Sequence, residues 1–330
     1  MKKLLGMVRV ATTVTLLPVM FVQQSFAWGA DGHKMINRLA AAALPTDVPA
    51  FLRNGAALDA MDYLGPEPDR WKNHAEEDLS VTQSPDHFID MEWAELVAVP
   101  CTAGEAGCPA SGKDFPHKRY DYIRAVEKAS AAHPDLNLTA EKIGFQPWQV
   151  EEVYERLKAG LREYRKLVAA NQDTKPAETA ILFYAAWLGH YVADGSQPLH
   201  DTIQYNGWTG PNPNGYTMDH KIHAQFETMF VIAAAKSADV APLVAATKPK
   251  VLNDEWADYL DYLRHSNSLV EKTYQLEKAG GFNGTGTPES VAFLDERMAA
   301  GAIELRDLIY TAWVRSGEPV PEHHGAQVGG

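Results

Sequence analysis

The chain has 330 residues, 45% of them hydrophobic, and a formal net charge of −13. That is enough length for one large core, and too little positive charge to coat duplex nucleic acid, a mode that needs Lys and Arg against phosphate. The two cysteines, Cys101 and Cys108, are separated by six residues in a loop rich in Ala, Gly and Pro, which points to one small local disulfide and leaves a thiolate zinc framework without ligands.

The first segment is a targeting sequence rather than part of a fold. Met1-Lys2-Lys3 is basic, the stretch from Val10 to Val22 is apolar, and Gln24-Ser25-Phe26-Ala27 places small residues where a signal peptidase reads them. Residues 1–27 are therefore expected to be removed and the chain exported, to the periplasm or beyond. The apolar run is too short to serve as a membrane span. Its removal takes away Lys2, Lys3 and Arg9 and no acid, so the mature chain is more acidic still.

From Trp28 onward helical spacing dominates. Lys34 to Leu44 reads as an Ala-rich helix stopped by Pro45, Val48 to Tyr63 as short pieces, and Tyr120 to His133 as a further helix. Pro147 to Ala170 carries Val150, Val153, Tyr154, Leu157, Leu161 and Tyr164 at spacings of three and four. Ala177 to Asp194 is apolar almost all round, the mark of a buried central helix. Met218 to Lys236, Asp254 to Glu277 and Ser290 to Val314 complete the series, the last introduced by Thr287-Pro288 as cap and first-turn residue. No alternating strand longer than four residues appears, so the fold class is all-α, with a single multi-helix domain over 28–317. Residues 318–330, with Pro, Gly and the pair His323-His324, are expected to be a disordered tail.

The chemistry lies between Leu188 and Glu227. His190 and Asp194 stand four apart on a helix, one above the other and roughly 6 Å along the axis, so both can face one ion. Gly-Ser-Gln-Pro ends that helix and His200 follows from the turn. The pattern then recurs as His223 and Glu227. Imidazole nitrogen and carboxylate oxygen are donors that zinc accepts. A single His of this kind is ordinarily a satisfied core or surface residue, and it is the series that indicates a metal. His220 lacks an acid four residues on and is a rival to His223 on proximity alone. His117, His133 and His265 have no ligand spacing and read as solvated, and Asp86 as a neighbour of the site.

Two further groups extend the series. Trp28-Gly29-Ala30-Asp31-Gly32-His33 opens the mature chain, and Asp86-His87-Phe88-Ile89-Asp90 follows a loop bearing Asp69-Arg70-Trp71-Lys72. Trp with His five residues on, Asp then His-Phe-x-Asp, His-x3-Asp-x5-His and His-x3-Glu together resemble the motifs of the zinc-dependent S1/P1 nuclease and bacterial phospholipase C superfamily. The resemblance spans Trp28 to Glu227. It implies three zinc ions in a cleft of an all-helical domain: one held by Asp69, His87, His190 and Asp194; a second by His200, His223 and Glu227; a third by His33, a bridging Asp194, and the amino nitrogen and carbonyl oxygen of Trp28. It also implies that Asp69 orients or deprotonates the attacking water, that Lys72 lies near the phosphate, and that Phe88 and Asp90 stack on and hydrogen-bond to a base.

Two positions depart from the pattern. Asp69 lies eighteen residues before His87, farther than usual, so Asp62 is its rival. Glu227 replaces the Asp more common in the nucleases and matches the phospholipase form. The expected function is an exported zinc phosphodiesterase acting on single-stranded DNA or RNA. A phospholipase C is the alternative, and a non-catalytic zinc-binding protein the remote one, disfavoured by the three-ligand set at His200, His223 and Glu227, which leaves a position open. A monomer with no stable protein partner is expected.

The N-terminal ligand is testable without a structure. In a precursor the Trp28 nitrogen is an amide whose lone pair is delocalised, and cleavage after Ala27 makes it an amine with a pKa near 8. Elemental analysis of the processed protein should give close to three zinc per chain. An uncleavable Ala27→Pro precursor and a form with one extra Met before Trp28 should each lose one zinc and most activity while staying folded. Equal zinc in all three forms would remove the N-terminus from the ligand set.

Overall fold

The computed structural model describes residues 28–73 and 75–320, so the proposed signal peptide, His323 and His324 lie outside the described residues. The fold is all-α. Helix α1 (Gly29–Ala42) begins directly after Trp28 and ends before Pro45, and the piecewise segment after it is a 3-10 turn (Ala50–Leu52) followed by α2 (Gly55–Leu64). Asn54 caps α2, its side chain accepting from Ala57 N at 2.9 Å, which satisfies one of the first-turn amides that a helix leaves unpaired. Short helices α3 (Glu67–Trp71), α4 (Glu77–Gln83) and α5 (Met91–Ala94) then lead, through an extended Phe88, to the cysteine loop.

That loop is closed by the Cys101–Cys108 disulfide and flanked by two antiparallel two-residue strands, Val99–Pro100 and Lys113–Asp114, too short to show alternation in the sequence. Helices α6 (Arg119–Ala132), α7 (Ala140–Ile143), α8 (Gln146–Ala169) and α9 (Lys175–Asp194) follow. After the 3-10 turn Pro198–His200 and a long loop come α10 (Ile222–Ala224), a π-helical stretch (Gln225–Phe230) and α11 (Val231–Ala234). The expected helix from Met218 is thus shorter, and it is interrupted at Glu227. Then come α12 (Ser237–Ala245), α13 (Glu255–Ser268), α14 (Val270–Lys278) and α15 (Pro288–Arg315).

The single helix expected over Asp254 to Glu277 is two, broken at Leu269, and the cause is local. Ser266 Oγ donates to the Gly195 carbonyl at 2.7 Å, Asn267 Nδ2 to the Asp201 carbonyl at 2.8 Å and Ser268 Oγ to the His265 carbonyl at 2.6 Å. Such side chains compete with the helical backbone for partners. Here they fasten α13 to the end of α9 and to the turn after it. Helix α15 behaves as its sequence indicates: Thr287 Oγ1 accepts from Ser290 N at 3.2 Å and Ser290 Oγ from Thr287 N at 2.8 Å, a reciprocal cap.

One continuous cluster of buried side chains extends from Trp28 on α1 through α8, α9 and α13 to Ala312 on α15. Helix α9 lies at its centre, with every residue from Leu188 to Asp194 buried. The crossing of α1, α9 and α15 is close because position 189 is glycine. A Cβ there would lie 1.9 Å from Asn37 Oδ1 and 2.6 Å from a Leu305 methyl, and Asn37 is itself held by a bond from Nδ2 to the His33 carbonyl. Gly189→Ala should therefore force apart the helices that carry His33 and His190, at a cost of about 1–3 kcal/mol or more. A Tm unchanged by that substitution would contradict the packing.

Candidate metal centre

Seven elements deliver side chains to one buried place. Helix α1 contributes His33, α3 Asp69, the 3-10 turn after α4 (Ser84–His87) His87, and α9 His190 and Asp194. The 3-10 turn after α9 contributes His200, and α10 with the π-helical stretch His223 and Glu227. All eight are buried. Three groups of ligand atoms lie within 4.8 Å of one another: His33, His190 and Asp194; Asp69, His87 and His190; His200, His223 and Glu227.

In the first region His33 Nε2 stands 3.3 Å from Asp194 Oδ1 and 3.8 Å from Asp69 Oδ2. His87 Nδ1 is 3.0 Å from Asp194 Oδ2 and 3.0 Å from His190 Nε2. The His33 and His190 rings stack at 3.9 Å. In the second region His223 Nε2 is 2.8 Å and His200 Nε2 3.4 Å from the same oxygen, Glu227 Oε2. The regions are joined by the backbone, because His200 Nδ1 donates to the His87 carbonyl at 2.8 Å.

Three imidazoles are oriented the same way. His190 Nδ1 donates to the Gly65 carbonyl at 2.9 Å, His200 Nδ1 to that of His87, and His223 Nδ1 to that of Tyr205 at 3.0 Å. A carbonyl can only accept, so each Nδ1 carries a proton and each Nε2 is aimed inward, the orientation typical of metal-ligating histidine. Without a metal, Glu227 outweighs burial and raises the His223 pKa, so that Nε2 holds a proton toward the acid until a cation displaces it. His87 presents Nδ1 instead, and its Nε2 is buried without a hydrogen-bond partner. Burial, followed by the nearby cations, holds the His87 and His190 rings well below the usual imidazole pKa, which keeps them neutral and able to ligate.

The carboxylates make the stronger case that zinc fits these residues. Asp69, Asp194 and Glu227 are 4% exposed or less, yet Asp194 Oδ1, Asp69 Oδ2 and Glu227 Oε1 accept no hydrogen bond. A buried acid costs several kcal/mol unless it is paired or neutralised. In the metal-free chain burial pushes Asp194 well above the usual carboxylate range. At Glu227 burial pulls the same way, but His223 and His200 outweigh it and hold the acid down to about 2. Three acids and five imidazoles with inward donors suit divalent zinc.

The implied site residues fall as follows. Asp69 enters the first region, whereas its rival Asp62 is partly exposed on α2 and acts on Arg38. Lys72 Nζ pairs with Asp69 Oδ1 at 2.8 Å. His223 faces Glu227, and its rival His220 is exposed, with Nδ1 on the Asn206 carbonyl at 2.6 Å. Trp28 is fastened to the end of α9, its Nε1 donating to the Ala193 carbonyl at 2.7 Å and lying 3.0 Å from Ser196 Oγ. Its own carbonyl accepts from Gly32 N at 3.1 Å and keeps one lone pair. The atoms beside His33 and Asp194 include His190, but His190 Nε2 has a single lone pair and can serve only one of its two groups.

Phe88 is partly exposed, and its ring adjoins Gly144, where a Cβ would meet the Phe88 carbonyl at 2.1 Å. His87 closes the 3-10 turn Ser84–His87 and enters the cluster, whereas Phe88 is extended and its ring lies against Gly144. Asp90 is buried, pushed up to about 8 by burial and by Glu92. Asp86, read as a neighbour, is buried near Arg119, 3.6 Å away. His117 is not simply solvated: its Nε2 is 2.9 Å from Asp114.

Several residues that support the site were not singled out from the sequence. Gln146 donates to the His87 carbonyl at 3.2 Å and to the Tyr191 carbonyl at 3.3 Å. Glu92 accepts from Thr202 Oγ1 at 2.5 Å and Ile203 N at 3.0 Å, clamping the segment between His200 and Tyr205. The polar run Ser266-Asn267-Ser268 inside an amphipathic pattern was the one available signal. Carbonyls such as those of Gly65 and Tyr205 have no signature in a sequence.

No protein-family model and no curated protein matches the chain. Among solved structures it is similar to the alpha-toxin of Clostridium perfringens from an avian strain, with 13% identity and a TM-score of 0.36 over 87% of this chain and 64% of the toxin. The chain thus spans less than two thirds of the toxin's length, and so loose a likeness assigns neither activity nor ligand.

The Glu227 environment has a pH signature in the metal-free protein. Its folded pKa, about 2, lies below the ordinary 4.5, so its stabilisation is complete above the ordinary value and is lost as pH falls toward about 2. After chelation, the Tm advantage of wild type over Glu227→Gln should shrink steadily across that interval. An advantage that stays constant through it would mean the carboxylate is not held as an anion.

Proposed function

We propose that the chain is an exported zinc-dependent phosphodiesterase that hydrolyses single-stranded nucleic acid. The observation that carries this reading is the convergence of three buried carboxylates, each with an oxygen that accepts no hydrogen bond, with imidazoles whose Nε2 atoms are aimed inward by carbonyl hydrogen bonds. A structural metal site closes its coordination with protein donors, and His200, His223 and Glu227 supply three, a number that leaves room for substrate. Export is supported by the basic and apolar pattern of residues 1–27.

Zinc, when bound, would supply Lewis acidity toward phosphate and lower the pKa of a water to about 7. The protein's own groups complete the reaction. His190, His200 and His223, locked by their Nδ1–H bonds, keep their Nε2 atoms in place without reorganisation. Asp69 would orient the attacking water or take its proton, and Lys72, held at 2.8 Å from it, would add positive charge where the phosphate enters. Lys72 is also the local answer to an acidic surface, since burial opposes its charge but Asp69 and Asp194 keep its pKa raised. Phe88 and Asp90 would serve a base, the latter as a neutral acid able both to donate and to accept.

A second reading, a phospholipase C acting on lipid head groups, is favoured by Glu227 in place of Asp. The two are separated by assaying the purified protein on single-stranded nucleic acid and on phosphatidylcholine, each with and without chelator. We expect chelator-sensitive cleavage of the nucleic acid, and Phe88→Ala to weaken nucleotide binding by about 1–3 kcal/mol, the worth of a stacked base. Hydrolysis of the lipid alone would overturn the nuclease reading, and activity indifferent to chelator would overturn both.

A further inference from the structure

The face of α9 that carries the metal candidates continues outward as a row of aromatic rings. Phe183, Trp187, His190 and Asp194 fall at positions i, i+4, i+7 and i+11, one stripe of a helix that spans about 16 Å from end to end. Helix α3 places Asp69 in the cluster and Trp71, near its C-terminal end, against this row. The Trp71 ring meets Trp187 edge-on at 5.5 Å and lies 6.5 Å from Phe183, and Phe183 is 5.8 Å from Trp187. All three rings are partly exposed; Trp187 packs against the core, and Trp71 and Phe183 lie outside it.

Two cations lie beside this row. Lys72 follows Trp71 directly and reaches Asp69. The Arg156 guanidinium lies 5.6 Å from the centre of the Trp187 ring and 3.6 Å from Glu152. Rings that served only to seal the seam between α3 and α9 would be fully buried by it, and Trp71 and Phe183 are only partly so. Aromatic faces interleaved with Lys and Arg beside a centre for phosphate chemistry are the recipe for holding single strands, because every base has a face to stack and every linkage a negative charge.

We propose that Trp71, Phe183 and Trp187 form a stacking subsite for bases flanking the scissile phosphate of a single-stranded nucleic acid. This deepens the nuclease reading and rests on it. The subsite is separate from Phe88, whose ring lies beside Gly144. A lipid face is the competing occupant, and it is disfavoured because the rings are recessed between cations rather than protruding as aliphatic side chains.

The test is the affinity of zinc-loaded protein for a fluorescein-labelled phosphorothioate oligothymidylate that resists cleavage, read by anisotropy. Trp71→Leu and Phe183→Leu, which keep apolar volume but lose the ring, should each raise Kd about tenfold, with zinc content as in wild type. Trp71→Phe should bind nearly as wild type and show a smaller quench of tryptophan fluorescence on binding, a readout that stands even if the leucine variants misfold. Unchanged Kd in folded leucine variants, an unchanged quench in Trp71→Phe, or no binding by wild type would each overturn the proposal. So would a loss of binding to phosphatidylcholine vesicles with oligonucleotide binding intact. If the oligonucleotide binds through these rings but wild type cleaves no nucleic acid, the subsite stands and the nuclease reading falls.

Discussion

The structure depends on holding carboxylates where water cannot reach them. Asp69, Asp194 and Glu227 are buried in an all-helical protein, and each has an oxygen to which no hydrogen is donated. Hydrophobic packing alone would exclude such groups, since the cost of desolvating an anion exceeds what a few methyl groups return. A bound cation would remove that cost, and folding and metal occupancy would then be coupled.

A cluster of that kind needs rigid supports, and much of the support comes from the main chain. The carbonyls of Gly65, His87 and Tyr205 each fix one imidazole. Those carbonyls are in turn positioned by the end of α2, by the bond from Gln146 to His87, and by the segment that Glu92 and Asn267 clamp. The close crossing at Gly189 lets α1 approach α9 until the His33 and His190 rings stack. The π-helical stretch at Gln225–Phe230 adds a local widening of the turn at Glu227, an irregularity frequent at functional sites. Displacement of any of these would move a donor atom by enough to matter to a metal with narrow bond lengths.

Much of this was legible in the linear sequence because the relevant physics is short-range. The i, i+4 pairs His190/Asp194 and His223/Glu227 follow from helical geometry. The stop at Gly-Ser-Gln-Pro and the cap at Thr287 follow from backbone chemistry, and the all-α class follows from apolar spacing. The break at Leu269 was hidden because Ser266 and Asn267 act through partners at the end of α9 and in the turn after it, and no pattern within α13 names those partners. The short strands around the disulfide and the split of the Glu227 helix were hidden for a similar reason: each is shorter than the window in which periodicity can be read.

The sequence by itself determined which residues could act as ligands and how neighbours along one helix are disposed, since spacing within a helix is set by its own hydrogen bonds. Tertiary structure alone decided what spacing cannot reach. It placed Asp69 rather than Asp62 beside His87, turned His223 rather than His220 toward Glu227, and set the Phe88 ring against Gly144. It also made His190 a neighbour of both His33 and Asp69. Those choices are made by packing between segments far apart in the chain, where burial and the need to satisfy every polar group select one arrangement from the many that local geometry permits.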